Sequence, residues 1–302
     1  MADSKARKPA EITPGLLAKW PLPEPGGGSG KDERGRVLVA GGSPEMPGAV
    51  ILAATAALRA GAGKLQIAVG SSTSAVVAQA VPEALVARLP ETKSGGLRMA
   101  ARVEELASEA DAVLVGPGMA EGPDTARLLR WLIAAMSRRG VLVVDAAALL
   151  PLARDADALF ALEGRAILTP HAGEMASMTG ERKETIEKDP SGWARRGARR
   201  FAASIALKGA ETFVADRSGR VWRNRAGNAG LAISGSGDTL SGIAAGLAAR
   251  GAAPPQTAVW SVALHARAGD RLARRMGPLG FLPRELLGEI PGLMRELGSK
   301  RR

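Results

Sequence analysis

The chain has 302 residues, is 46% hydrophobic and carries a formal net charge of +11, enough material for one large α/β body or two smaller ones. It contains no cysteine, which excludes disulfides, thiolate metal sites and cysteine nucleophiles and fits the reducing cytoplasm where the protein is expected. Aromatics are only 3%, tyrosine is absent, and no uncharged apolar run is long enough to span a bilayer, so neither nucleic acid nor membrane is expected as a partner. Residues 1–30 are rich in proline, glycine and charge and end in GGGSG; they predict a flexible lead-in, with Leu16, Leu17 and Trp20 able to dock on the body. The body, residues 31–297, alternates between two periodicities. RVLVA at 36–40 reads as a strand and an alanine-rich helix follows over 48–60. Further strands are expected at 64–69, 111–115, 141–144, 166–168 and 204–207, with helices over 125–137, 173–178 and 193–201. Residues 212–215 and 220–222 suggest a hairpin, and residues 298–302 a frayed tail.

Alternating strands and helices imply a mostly parallel sheet covered on both faces, and the strands are continuous apolar runs, as strands buried on both faces require. No tandem repeat and no second core is evident, so one domain is expected. In such sheets ligands lie beyond the carboxyl ends of the strands. Five strand ends carry the residues of interest: Gly41-Gly42-Ser43, Gly116-Pro117-Gly118, Asp145, Thr169-Pro170-His171 and Lys208-Gly209.

The most informative stretch is GNAGLAISGSGDTLSG at 227–242. Gly235 and Gly237 can turn their N–H groups toward one point, and a helix starting near Thr239 would aim its positive end there. That suits a phosphate, with Asp238 placed to take a proton from an attacking hydroxyl. The competing reading is a glycine turn with an aspartate helix cap. LTPHAGE at 168–174 puts His171 and Glu174 on one face at a helix start. There Glu174 could hold a Mg²⁺-bound water or simply cap the helix. Lys208 in ALKGAET at 206–212 can meet a nucleotide phosphate as a point charge. VLVAGGSPEMPGA at 37–49 and VLVGPGM at 113–119 offer close backbone approach to a ligand, the second as a floor for a flat ring. His265, in an alanine-rich helical stretch without a partner motif, reads as structural.

With these motifs in order over about residues 31–251, the chain resembles the NAD(P)H-hydrate dehydratase family of the ribokinase-like superfamily. The resemblance rests on GGSPEMPGA, VGPGM, LTPHAGEM, LKGAET and N-x-G-x-x-x-x-G-x-G-D-x-L-x-G. It implies a ribokinase-like three-layer α/β fold and a lyase that returns hydrated NADH or NADPH to the active cofactor, consuming ADP or ATP with Mg²⁺. Under this resemblance Asp238 is the base, and Gly235, Ser236 and Gly237 form an anion hole. Ala49, Gly118, His171 and Asp238 contact the hydrated dinucleotide; Lys208, Gly209, Ala210, Glu211 and Thr212, with Gly237, contact the ADP or ATP. The family usually has an aromatic where Met46 stands, an acid where Ala147 stands, and GTGD where this chain has GSGD. The epimerase domain often fused to the family is expected to be absent here, and a separate epimerase to act on the same substrate. A homo-oligomer is expected. Two other readings stay open: a ribokinase-like kinase of a small alcohol such as a hydroxymethylpyrimidine or thiazole, and a nucleotide-binding protein without turnover.

Overall fold

The structure, a computed structural model, describes residues 8–24, 30 and 33–298. The strands are β1 (Ala10–Glu11), β2 (Arg36–Ala40), β3 (Lys64–Gly70), β4 (Leu85–Leu89), β5 (Ala112–Val115), β6 (Val141–Val144), β7 (Ala166–Leu168), β8 (Ser204–Leu207), β9 (Thr212–Ala215) and β10 (Val221–Asn224). They form one sheet in the order β1-β10-β9-β8-β7-β6-β5-β2-β3-β4. Only β9 among them pairs antiparallel with its neighbours, so the carboxyl ends of the rest gather at one edge. The order reverses at β2, which pairs with both β3 and β5; the crevice between β2 and β5 is therefore a topological switch point.

The period of two explains the layers. Val37 and Val39 of β2, Leu114 of β5 and Val143 of β6 join one core, while Leu38 and Ala40, Val113 and Val115, and Leu142 and Val144 join the other. The helices are α1 (Pro14–Lys19), α2 (Pro47–Arg59), α3 (Ser74–Ala80), α4 (Ala101–Glu109), α5 (Pro123–Ala135), α6 (Ala172–Thr179), α7 (Lys183–Lys188), α8 (Pro190–Arg200), α9 (Ser236–Ala249), α10 (Pro254–Met276) and α11 (Pro283–Gly298). Helices α2, α9, α10 and α11 cover the first face; α4, α5, α6, α7 and α8 cover the second. A Cβ on Gly242 or Gly246 of α9 would collide with the carbonyls of Ala53 or Ala57, so these glycines and the small residues of α2 let the two helices touch backbone to backbone. This contact fixes where the start of α9 emerges.

Two expectations need correction. The lead-in is not flexible over residues 8–24. There β1 pairs with β10, α1 buries Leu17, and the Trp20 ring stacks on Trp222 with centroids 5.7 Å apart. The Trp20 carbonyl accepts from Trp260 Nε1 (2.8 Å) and Gln256 Nε2 (3.1 Å). Those partners lie more than 200 residues away, which is why local composition misjudged the segment. The rest of the lead-in (residues 1–7 and 25–29) and of the expected frayed tail (residues 299–302) lies outside the described residues. The second correction is the start of α9 at Ser236 rather than near Thr239, with Gly235 as N-cap. The sequence reading also passed over β4, α3 and α4, because β4 is an edge strand whose alternating burial leaves Arg88 exposed.

Candidate active site

Asp238 sits in the first turn of α9, behind a Gly235 held at φ 90°, a left-handed geometry that favours glycine. Gly237 has no such backbone angle, contrary to the sequence reading; its contribution is room. A Cβ there would reach to 3.4 Å from Lys208 Nζ and 4.0 Å from Asp145 Oδ2, so the absent side chain leaves an open gap over these charges. Nor is Asp238 the helix cap, and its carboxylate makes no hydrogen bond or ion pair among the described residues. Burial, followed by repulsion from Asp145, pushes the Asp238 carboxyl up to about 6, against the opposing pull of Lys208; Glu174 adds to the rise.

The anion hole also differs in detail. The Ser236 N–H donates to the Ile233 carbonyl (3.2 Å) and is not free for a ligand. The N–H groups of Gly235, Gly237 and Asp238 have no such partner among the described residues, so the loop and helix start keep three backbone donors.

Beside Asp238 lies a knot of charge assembled from three strand ends. Asp145, at the end of β6, is 2% exposed; its Oδ1 accepts from Thr169 Oγ1 (2.7 Å) and Lys208 Nζ (3.1 Å). A Cβ on Gly116 would strike the Asp145 carbonyl, and the chain then turns through Ala146 with φ 50°, a sharp bend that presents the carboxylate. Lys208 also lies 3.6 Å from Glu174 Oε2. Burial works to lower the Lys208 pKa, but Asp145 and Glu174, with Asp238 beyond them, outweigh it and the net movement is upward. The lysine therefore partly offsets an acidic cluster while it faces the gap over Gly237.

His171 and Glu174 form a reciprocal helix cap. His171 Nδ1 accepts from the N–H groups of Gly173 (3.0 Å) and Glu174 (3.2 Å), and Glu174 Oε2 accepts from the His171 N–H (2.7 Å). A neutral His171 therefore carries its proton on Nε2, which lies 3.4 Å from Glu174 Oε1, on a side chain that is 56% exposed. Glu174 uses Oε2 for the helix start and for Lys208, which leaves Oε1 to meet a metal-bound water. No group of three or more histidines or acids among the described residues could hold a metal ion. A Mg²⁺ held mainly by phosphate oxygens and water, with Glu174 outside its water shell, fits these donors.

A cavity of about 780 Å³ opens alongside, between the β8–β9 turn, α9 and α10. Lys208, Gly209, Ala210 and Thr212 line it, as do Ser236, Gly237 and His171. Glu211 does not; it turns to Arg225 (3.2 Å) and Arg223 (3.6 Å), which also hold Glu11 of β1. His265, read from sequence as structural, is brought into the site: it lines the cavity, and its Nε2 lies 2.9 Å from Ser236 Oγ. Only a pairing of helix faces 29 residues apart could have found it. Across the helix start from this cavity is the switch-point crevice. There Gly42 N–H donates to the Pro117 carbonyl (2.8 Å), and a Cβ on Gly118, held at φ 66°, would collide with the Met46 carbonyl and lie 2.9 Å from the Ala49 Cβ. Gly235 connects the two halves, since a Cβ there would lie 2.7 Å from Leu52 Cδ1, one turn along α2 from Ala49.

The carboxylate at the start of α9 thus lies beside a lysine-lined cavity, with the switch-point crevice toward α2, and known proteins match the chain in sequence and fold. A family model described as NAD(P)H-hydrate dehydratase matches residues 37–292. The ADP-dependent (S)-NAD(P)H-hydrate dehydratase of Xanthomonas campestris pv. campestris is 46% identical over 288 residues, covering 95% of this chain and 96% of that protein. The crystal structure of the ADP/ATP-dependent NAD(P)H-hydrate dehydratase of Bacillus subtilis, co-crystallised with ATP and Mg²⁺, superposes with a TM-score of 0.80 at 26% identity, covering 97% of this chain and 100% of that one. A ribokinase-like superfamily protein of Enterococcus faecalis has the same fold, with a TM-score of 0.83 at 23% identity over 98% of both chains. With sequence and architecture thus matched across nearly its whole length, the chain belongs to the NAD(P)H-hydrate dehydratase family and has a ribokinase-like fold.

Proposed function

We propose that the protein dehydrates hydrated NADH or NADPH with consumption of ADP or ATP, and that Asp238 is the base that starts the reaction. The observation that carries this reading is the Asp238 carboxylate, unpaired among the described residues, at the start of α9 and between the two ligand spaces. Hydroxide is a poor leaving group, so the ring hydroxyl is first phosphorylated. Its oxygen attacks the terminal phosphorus of the nucleotide, the bond to the departing AMP or ADP breaks, and the proton passes to Asp238. A carboxyl raised to about 6 is ionised at neutral pH yet more basic than an ordinary aspartate. The free N–H groups of Gly237 and Asp238 face the charge that builds on the transferring group. Then the ring nitrogen lone pair expels inorganic phosphate to leave an iminium, the neighbouring ring carbon passes a proton to the departing phosphate, and the double bond re-forms.

The crevice of Ala49 and Gly118, with His171, receives the hydrated dinucleotide. Lys208, Gly209, Ala210 and Thr212, with Gly237, receive the ADP or ATP; Glu211 serves this loop from its outer side. Mg²⁺ on the nucleotide supplies positive charge to the transferring phosphoryl group, and Glu174 meets its water shell. Lys208 offsets part of the Asp145 and Glu174 charge, and the Mg²⁺ that a nucleotide brings would offset the rest as the polyanion approaches. The hydroxyl-bearing carbon is a stereocentre and the Xanthomonas campestris relative is named for the S form, which supports a separate epimerase as metabolic partner. A chain without cysteine supports a cytoplasmic location. Exposed Leu279 and Leu282 support self-association.

Purified protein mixed with Mg²⁺, ADP or ATP and hydrated NADH is expected to restore the near-ultraviolet absorbance of NADH. No recovery, with a phosphorylated small alcohol formed instead, would replace this reading with a kinase; binding without any product would replace it with a nucleotide-binding protein.

A further inference from the structure

Ser236 stands between the helix start and the cavity, and its hydrogen bonds are unusual for a residue in an anion-binding turn. Its backbone N–H is taken by the Ile233 carbonyl, so the hydroxyl is the donor it has left. The residue is 5% exposed, too enclosed for water to orient that hydroxyl freely. Its Oγ has one partner among the described residues, His265 Nε2 at 2.9 Å. Burial, opposed by a backbone hydrogen bond to Ser236 and aided by the Lys208 charge, pushes the His265 imidazole down to about 4, so it is neutral at working pH and carries a single N–H.

A hydroxyl has one proton. If His265 Nε2 accepts, the Ser236 proton points into the protein and an oxygen lone pair faces the incoming anion, which is repulsive. If Nε2 carries the proton, it donates to Ser236 Oγ and frees the hydroxyl to donate outward. We infer that His265 is a positioning residue: its Nε2–H tautomer donates to Ser236 Oγ and thereby directs the Ser236 hydroxyl at the transferring phosphoryl group. This rests on phosphoryl transfer at the start of α9, as proposed above. It gives the serine of GSGD a role through its side chain rather than its N–H, and it gives a reason for a histidine at the cavity wall of α10.

The chain has two histidines, so imidazole ¹⁵N spectra of the whole protein hold two ring systems, and the His265→Gln variant assigns them. The Nε2–H pattern is expected for His265; the Nδ1–H pattern would overturn the inference whatever the activity. Kinetically, His265→Leu is expected to lower kcat about tenfold with little change in nucleotide KM, as for a weakened anion-hole donor. His265→Gln, whose amide N–H reaches about as far as Nε2, should restore most of that loss. In a Ser236→Ala background His265→Leu should cost nothing further. Full additivity of the two substitutions, or a loss confined to KM, would overturn the relay. Turnover unaffected by Ser236→Ala while Asp238→Asn abolishes it would sink the relay and leave the proposed function standing. Normal turnover in Asp238→Asn would sink the proposed base, with the ring spectra still reporting the tautomer independently.

Discussion

The two sides of the helix start are built on different principles. The crevice between β2 and β5 is made of backbone and small residues: Gly42, Pro117, Gly118 and Ala49 touch with almost no side chain between them. The side formed by β6, β7 and β8 is made of charge: Asp145, Glu174 and Lys208 within hydrogen-bond or ion-pair distance of one another, with Asp238 above them. The first can discriminate a ligand by shape, since any added carbon collides. The second can discriminate by charge and proton position. One loop, GSGD, belongs to both, with Gly235 against α2 and Gly237 over Lys208.

Substitutions can break this division, and the largest effect is expected at the shared loop. Asp238→Asn should lower kcat by about 10²–10⁴-fold while nucleotide affinity, followed by calorimetry, stays nearly unchanged. The same variant should be more stable at neutral pH. The folded-state carboxyl, at about 6, lies above its ordinary value, so the cost to folding is absent below about pH 4, builds as the unfolded carboxyl ionises, and is complete above about 6. Screening at the cavity mouth reduces the benefit to about 1 kcal/mol. Melting temperatures at pH 4 and pH 8 test this, and an equal difference at both would contradict the raised pKa. In the unsubstituted protein kcat should fall as pH drops through about 6, because the base becomes protonated.

Next in size is Lys208→Ala. The sequence predicts weaker nucleotide binding alone; the structure adds that buried Asp145 is left without its cation. A stability loss of about 3 kcal/mol in chemical denaturation is expected, largely reversed when Asp145→Asn is added. Because Lys208 holds the Asp238 pKa down, its removal should also move the acidic limb of the kcat profile to higher pH. Gly118→Ala acts on the other half. At φ 66° and against the Met46 carbonyl the methyl has no room, so KM for the hydrated dinucleotide should rise about tenfold with nucleotide affinity unaltered. Loss of nucleotide affinity instead would break the division between the two halves. The smallest effect is expected for Glu211→Gln: its ion pairs with Arg223 and Arg225 are largely solvated, and nucleotide affinity should change by less than about threefold.

Much of the fold was legible because strands buried on both faces must be apolar throughout, and runs such as VLVV and RVLVA have no other good home. The strand ends were legible for the same reason: a glycine, acid or lysine directly after such a run has to sit at the sheet's carboxyl edge. What was not legible was partnership. Nothing near Lys208 in sequence shows that Asp145, 63 residues earlier, takes its charge. Nothing near His265 points to Ser236, and nothing near Trp20 points to Trp260. Glu211 reads as one of five consecutive nucleotide contacts, yet it lies in the turn between β8 and β9 and is drawn to Arg223 and Arg225, which sit far along the chain.

By itself, then, the sequence determined the alternating architecture, the family and the row of strand-end residues, because periodicity and turn chemistry are local and written in order along the chain. Only the tertiary structure decided which charges neutralise one another, which donors of the GSGD loop are free, and that Asp238 stands unpaired while Lys208 does not. Those are differences in burial and distance among residues far apart in the chain, and in a low-dielectric site such differences set where a proton rests.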